Sequence, residues 1–421
     1  MLDIKYIREH ATEVKANCQN RNAVVDIDRL LAVDKERREN LSQLEAWRHE
    51  LKVKSKVKPT EAEINTARQL SEQISRQEKA RKALDEEYHS LLLAVPNLSD
   101  PAAPVGGADK FVVREESGRR ADFKFKPKWH TDLMTELDLI DFDRGAKVTG
   151  AKFYFLKNDA VRLNQALLNF GLDILRRHGF IPMETPDLVK NDILEGSGFN
   201  PRGAEAQTYG IKDHDLSLIG TAEITVLGYH ARETLDLSTG PKKYAALSHC
   251  FRTEAGAYGK ASRGLYRVHQ FTKLEMFVFC KPADSQKLHQ ELVDIEKEIC
   301  RKLELPFRVI DIPTADLGAP AYRKFDIEAY MVMAGDADAF DGYGEITSAS
   351  NCTDYQARRL NIKYKNDDGV GEYVHTLNGT AIVTSRFPLA IIEAHQQKDG
   401  SIRIPKALKK YFGKSKIVKN A

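Results

Sequence analysis

Apolar residues recur at helical spacing through the first hundred positions and at mixed spacings after them. Positions 30, 34, 37, 41, 44, 48 and 51 step alternately by four and three, and hold Leu30, Asp34, Arg37, Leu41, Leu44, Arg48 and Leu51. A second run with the same stepping holds Ala67, Leu70, Ile74, Gln77, Arg81, Leu84, Tyr88, Leu91 and Val95. This is a heptad repeat, the period of helices that share a seam. The seam is only partly apolar, so it predicts two antiparallel helices forming an exposed finger, not a long buried core. A helix of about 28 residues makes an arm of roughly 40 Å.

The break between the two runs is LKVKSKVKPT, residues 51–60. Pro59 stops a helix, and Thr60 with Glu63 forms a capping box that opens the next one. Lys52, Lys54, Lys56 and Lys58 crowd this tip. Such a charge run fits a solvated loop, and it also fits a surface that meets phosphates. The second helix ends near Val95-Pro96-Asn97, and the Gly- and Pro-bearing SDPAAPVGGADK follows as a domain boundary. We therefore expect an arm domain over 1–105 and one large α/β unit over 106–421. Strand-like runs in the second unit include YAALSHCF, YRVHQFTKLEMFVF and FRVIDI. Helix-like runs include DAVRLNQALLNFGLDILRRHG, stopped by Gly179, and SQKLHQELVDIEKEICRKL.

Composition narrows the class without naming it. An apolar fraction of 42% and a charged fraction of 30% suit a folded chain with a real core, and 421 residues suit two or three domains. The longest apolar runs, such as Leu91 to Val95, are too short to span a bilayer, so no membrane is expected. The N-terminus has neither an apolar signal core nor the look of a transit peptide. Five scattered cysteines without a CxxC pair read as thiols of a reducing compartment, not as disulfides or a zinc site. At a net charge of +3 any nucleic-acid binding must come from local patches.

Several familiar sites are missing: no GxGxxG between strand and helix, no GxxxxGK[ST], no HExxH and no GxSxG. Three clusters remain. In the first, Arg252-Thr253-Glu254 leads through a glycine-bearing loop to Arg267, His269, Phe271 and Glu275. Alternation along two joined strands would put Arg252 and Glu254 on one face, and Arg267, His269, Phe271 and Glu275 on one face of the partner. A guanidinium suits phosphate or carboxylate oxygens, and Phe271 suits a base. The same pattern equally fits cross-strand ion pairs with Phe271 in a core. The second cluster, Gly344 to Asn351, places Glu345, Thr347 and Asn351 on one strand face. Those hard oxygens suit Mg²⁺, and they also suit a polar edge strand. The third is HTLNGT at 375–380 followed by Arg386 and an apolar helix. It fits a small polar pocket with an anion site, or a surface turn.

Together the clusters resemble the three signature motifs of class II aminoacyl-tRNA synthetases, and they are similar to the seryl-tRNA synthetases of bacterial or organellar type. The resemblance covers essentially the whole chain. It rests on MLDIKYIRE, the VPN after the hairpin, TGAKFYFL, LIGTAEI, HCFRTEAG, RGLYRVHQFTKLEMF, EITSASNCTDYQARR, HTLNGT and IPKALKKYF, in that order. It implies an α+β protein: a coiled-coil arm, then a catalytic domain on an antiparallel six-stranded sheet flanked by helices. It also implies a homodimer with the first motif, ending near Thr185-Pro186, at its interface. The activity implied is ATP-dependent ligation of L-serine to tRNA-Ser, with tRNA-Sec as a further acceptor, in the cytoplasm or in an organelle matrix.

The roles implied follow the motifs. Arg252 holds the α-phosphate and the serine carboxylate. Thr253, Glu254, Val268, Phe271, Ile346 and Thr347 lie along the nucleotide, with Glu254 on the adenine side and Phe271 stacked on the ring. Glu345 and Ser348 ligate Mg²⁺, and Arg386 clamps the γ-phosphate. Thr221, Ala222, Glu223, Glu275, Asn378 and Thr380 form the serine pocket. Lys52, Lys54, Lys56 and Lys58 contact the long extra arm of the tRNA, read by shape and backbone. No zinc is expected, since no cysteine stands at a zinc position.

There are departures from the pattern. Gly220 stands where proline is common, Thr347 and Thr380 where serine is, and Ser385 where glycine is, and the arm is somewhat short. Two rivals use the same fold: a non-catalytic RNA-binding paralogue, which would lack Arg252, Glu275 or Arg386, and a ligase loading a carrier protein, which would not need the hairpin.

Overall fold

The computed structural model describes residues 1–54, 61–199, 208–254, 265–331 and 342–419. They form two compact units, Met1–Leu98 and Ser99–Ala421. Residues 99–105, expected within the arm domain, bond into the second unit. The Asp100 amide donates to the Tyr322 carbonyl at 2.9 Å, and the Thr314 amide to the Pro104 carbonyl at 2.8 Å.

The first unit has four helices among its described residues: α1 (Ile4–Glu9), α2 (Ala11–Asn20), α3 (Ile27–Lys54) and α4 (Glu61–Ala94). Its base is a small core of Ile7, Val14, Cys18, Ile27, Leu30, Leu92 and Val95. Beyond that core α3 and α4 run side by side along the predicted seam, held by Leu44, Leu70 and Ile74 with Trp47 and Leu51 against them. Each fully buried aliphatic side chain there contributes about 2 kcal/mol. The seam departs from the predicted spacing at one step. Trp47 packs inward, and Arg48 turns out to reach Glu78 at 2.6 Å. Arg29 and Arg37 reach across to Glu87 and Asp85.

The second unit is built on a sheet of eight strands among the described residues: β1 (Val112–Ser117), β2 (Ile181–Glu184), β3 (Lys242–Phe251), β4 (Gln270–Cys280), β5 (Phe307–Asp311), β6 (Arg323–Tyr330), β7 (Tyr343–Asn351) and β8 (His375–Val383). Their order is β1-β5-β6-β7-β8-β4-β3-β2. All neighbours are antiparallel except β2 and β3. The sheet is thus wider than the six strands the resemblance implied, and one edge is parallel. Period-two alternation sorts β4 between two layers. Leu274, Met276 and Val278 join the large core beneath helices α5 (Asp159–Arg177) and α7 (Ser285–Lys302). Phe277 and Phe279 pack instead with α6 (Ala222–Tyr229) and α8 (Tyr355–Leu360). Helix α9 (Phe387–Ala394) follows β8. No helix among the described residues is long and apolar enough to cross a membrane.

Candidate active site

The centre of the β4 face that bears Phe277 is polar. Phe271, Lys273 and Glu275 share that face by alternation. Lys273 and Glu275, both buried, form an ion pair. Lys273 was not singled out from the sequence, although the same alternation that selected Phe271 and Glu275 includes it. Thr221, the N-cap of α6, turns its hydroxyl to both sides of this point. It accepts from the Glu223 amide and donates to Glu275 Oε2, each at 3.4 Å. The α6 start therefore delivers Glu223 beside Glu275. Ala222 between them is fully buried in the core under α6, so its side chain takes no part.

Glu223 is gripped from a second direction. Its Oε1 accepts from Gln356 Nε2 at 2.6 Å and from Asn378 Nδ2 at 3.1 Å. Gln356 is in turn fixed by the Thr376 hydroxyl at 2.7 Å and by the Ser197 carbonyl at 2.9 Å. Thr380 lies opposite Glu275 in the β4–β8 register. Thr221, Glu223, Glu275, Asn378 and Thr380 thus gather into one largely buried polar cluster with two acids at its centre. Burial pushes the Glu223 carboxyl up to about 7, and the neighbouring Glu275 adds to the rise. Burial also raises Glu275, and Lys273 and Arg252 offset this only in part.

Arg252 stands at the cluster's rim. Its Nε donates to the Gly220 carbonyl at 3.4 Å, and its guanidinium lies 5.2 Å above the Phe271 ring. Its charge reaches Glu223, Glu275 and Glu345 alike. One expectation needs correction here. The β3–β4 register ends at Phe251 opposite Gln270, with one further bond from the Arg252 amide to the His269 carbonyl at 3.0 Å, and Glu254 has φ +50°, so the chain leaves the strand geometry just after Arg252. Arg252 and Glu254 do not share a strand face, nor do Arg267 and His269 belong to β4. Thr253 and Glu254 lie in the segment leaving β3. Arg267 approaches Glu254 at 3.8 Å, and the His269 ring sits 3.0 Å from the Arg252 carbonyl. Val268 is buried in the large core.

Across the sheet, Glu345 pairs with Arg386 at 2.6 Å. Arg386 is the N-cap residue of α9 and lies 4.8 Å over the Tyr266 ring. The Tyr266 hydroxyl donates to the Glu345 carbonyl at 2.7 Å. Burial alone would raise Glu345, but Arg386 and Lys324 outweigh it and hold the carboxyl below the usual range. The Glu345 side chain is still 39% exposed, so it remains open to a ligand.

A second correction concerns Thr347. The β6–β7 register shifts between Ile327 and Glu328, leaving Ile346 as an extra residue. Alternation is broken there, so Glu345 and Thr347 point to opposite sides. The Thr347 hydroxyl donates to Glu296 Oε2 on α7 at 2.9 Å, and Ile346 is buried. Ser348 hydrogen-bonds Asp326, its register partner, whose carboxyl burial raises. Asp326 Oδ1 is buried and has no hydrogen-bond partner among the described residues. On the arm, Lys52 is exposed near the end of α3 and Lys54 closes that helix. Lys56 and Lys58 lie outside the described residues.

Comparison with known proteins identifies the family. Residues 1–99 match the family described as the seryl-tRNA synthetase N-terminal domain. Residues 209–395 match the tRNA synthetase class II core domain (G, H, P, S and T). The serine–tRNA ligase of Treponema denticola is 47% identical over 425 residues, 99% of this chain and 100% of the relative. That of Dictyoglomus turgidum is 48% identical, with 99% of each chain covered. The crystal structure of seryl-tRNA synthetase from Pyrococcus horikoshii complexed with ATP superposes with a TM-score of 0.91, at 38% identity and 100% coverage of both chains. A likeness of this extent through both units means that the chain belongs to the seryl-tRNA synthetase family.

Proposed function

We propose that this protein is a serine–tRNA ligase that activates L-serine with ATP and passes it to the 3′ end of tRNA-Ser. The observation that carries the reading is the convergence of Arg252 with two groups of acids: Glu223 and Glu275 in the buried polar cluster, and Glu345 beside Arg386. Serine's ammonium and hydroxyl take the acceptors of the pocket, Glu223 and Glu275, with Thr221, Asn378 and Thr380 closing it. Its carboxylate then projects towards Arg252. Because the pocket's polar groups are buried, an analogue lacking the hydroxyl would leave them unpaired, which excludes alanine.

The nucleotide lies between Arg252 and Arg386. Arg252 neutralises charge on both the attacking carboxylate and the α-phosphate, letting them approach. The bond from serine oxygen to the α-phosphorus forms as the bond to pyrophosphate breaks. Arg386 neutralises the terminal phosphate, and Phe271 and Glu254 flank the adenine. The terminal ribose hydroxyl of the tRNA then attacks the adenylate carbonyl and AMP leaves. Positioning and charge neutralisation supply most of the acceleration.

A divalent cation, Mg²⁺, fits beside Glu345 and Ser348. The donors are hard oxygens, Glu345 is open to ligands, and Asp326 Oδ1 next to Ser348 is an unsatisfied buried acceptor. When bound, it would neutralise phosphate charge. The chain's own contribution is to hold Glu345 ionised through Arg386 and Lys324. We assign the α3–α4 hairpin, through Lys52, Lys54, Lys56 and Lys58, to the tRNA. We also infer a homodimer along the β2 edge, where Ile181 is exposed, as is Leu188 shortly after it in the chain.

The test is serine-dependent exchange of pyrophosphate into ATP, followed by charging of tRNA-Ser. Exchange with serine and charging are expected. Exchange without charging would favour a carrier-protein ligase, and no exchange with any amino acid would favour a non-catalytic paralogue.

A further inference from the structure

Beneath the site, on the side of the sheet away from Arg252, one acid has no place in the chemistry above. Glu296 lies on α7 and is fully buried. Its neighbours on the helix, Leu292, Ile295 and Ile299, belong to the apolar core. A carboxyl in that layer costs several kcal/mol unless it is neutral or well bonded, so its position calls for a reason.

The reason lies in the sheet above it. Strands β7 and β8 pair only at Ala349–Gly379, Ser350–Asn378 and Asn351–Leu377. Past Gly379 their ladder stops. On β8 the register also shifts between Thr380 and Ile382, and on β7 the shift at Ile346 precedes Thr347. Glu296 reaches into this opening. Its Oε2 accepts the Thr347 hydroxyl from β7 at 2.9 Å, and the Thr380 backbone of β8 faces the same carboxyl. A Cβ on Gly379 would stand 3.2 Å from Glu296 Oε1, so the glycine leaves the carboxyl room. Oε1 itself is buried without a hydrogen-bond partner among the described residues.

The two strand ends it spans carry different halves of the reaction. Glu345 and Ser348 on β7 serve the nucleotide side, and Asn378 and Thr380 on β8 serve the serine side. We propose that Glu296 is a positioning residue that sets the separation of the nucleotide and serine subsites by bridging β7 and β8 from below. Burial raises its carboxyl well above the ordinary range, and the charges of Asp326 on β6 and Glu275 on β4, acting across the sheet, add to the rise. The bridge therefore works as a neutral acid, and glutamine can reproduce it. The proposal rests on the ligase reading given above.

It is tested on the full-length protein by serine-dependent exchange with Glu296→Ala, Glu296→Gln, Thr347→Val and the Glu296→Ala/Thr347→Val double variant. Each half-site keeps its own groups, so the KM values for serine and ATP should stay within about threefold. The kcat of Glu296→Ala should fall about thirtyfold or more, the scale of a reacting pair held slightly out of place. Glu296→Gln should recover most of that loss, Thr347→Val should share it, and the double variant should be no worse than Glu296→Ala. The inference is overturned if folded Glu296→Ala keeps wild-type kcat, if its loss appears in KM alone, or if the two single losses multiply. Should Glu296→Ala fail to fold, wild-type kcat in Thr347→Val would overturn it. Absent exchange in the wild type would remove the ligase reading as well, whereas normal wild-type exchange with an unaffected Glu296→Ala would remove only this inference.

Discussion

The hairpin and the catalytic sheet use the same residue types to opposite ends. Along α3 and α4, Arg29, Arg37 and Arg48 meet Glu87, Asp85 and Glu78 at the surface, where water screens each pair. Around the sheet, Arg252 acts on Glu223, Glu275 and Glu345, Lys273 on the first two and Arg386 on the third, in surroundings where burial strengthens each effect. The arm spreads opposite charges evenly, and a thin apolar seam with many weak pairs suffices to hold it. The site gathers acids until they would repel, then offsets them with cations. A substrate bearing an ammonium, a carboxylate and phosphates completes that balance. Charge on the arm therefore serves the fold of the hairpin, and charge in the site is gathered for a ligand.

The largest effect should come from the site. Arg252→Ala is expected to lower serine-dependent exchange by about a thousandfold or more, while the melting temperature moves little because the residue is only half-buried. Exchange within tenfold of wild type would remove Arg252 from its role. Next comes Glu223. Its carboxyl is raised from 4.5 to about 7 in the fold, so the folded state binds that proton more tightly than the unfolded chain does. Its contribution to stability is full below about pH 4.5 and is lost as pH rises through about 7. The pH-dependent loss, on the order of 3 kcal/mol, should be missing from Glu223→Gln in denaturant titrations at pH 5 and pH 8. Equal slopes in both proteins would show that the pocket does not hold the acid neutral.

On the arm the effects should be smaller and of another kind. Replacing Lys52, Lys54, Lys56 and Lys58 by alanine should weaken tRNA charging about tenfold and flatten its salt dependence, with exchange unchanged. Parallel loss of both activities would end the assignment of the tip to RNA. Smallest of all, Arg48→Ala should cost less than about 1 kcal/mol by thermal melting. A larger loss would mean that the arm's ion pairs act as a network.

Much of this was legible in the sequence, and the failures have physical causes. The heptad stepping located both hairpin helices, because a seam repeats itself in sequence. Lys273 was readable from the alternation that picked out Phe271 and Glu275. Thr347 was assigned to the wrong face because a single extra residue at Ile346 reverses alternation, and no local signal marks that bulge. Arg252 and Glu254 do not share a strand face because the pairing gives out at Arg252 and Glu254 turns to φ +50°. Gln356 gains its role only when α8 packs beside α6, a matter of tertiary placement. Glu296 left a faint trace: an acid at the apolar spacing of Leu292 and Ile299, where a leucine would be expected. The serine pocket was recognisable mainly through resemblance, since Thr221, Glu275 and Thr380 come from three distant segments.

The central claim is that Arg252, Glu223, Glu275, Glu345 and Arg386 surround one serine and one nucleotide, which react to an aminoacyl-adenylate held by Arg252 and the two pocket acids. The most direct measurement is a crystal structure with the non-hydrolysable sulfamoyl analogue of seryl-adenylate. The account predicts the sulfamoyl group beside Arg252, the serine moiety between Glu223 and Glu275, and the adenine between Phe271 and Glu254. An analogue bound elsewhere, or one whose serine end points away from the two glutamates, would contradict it.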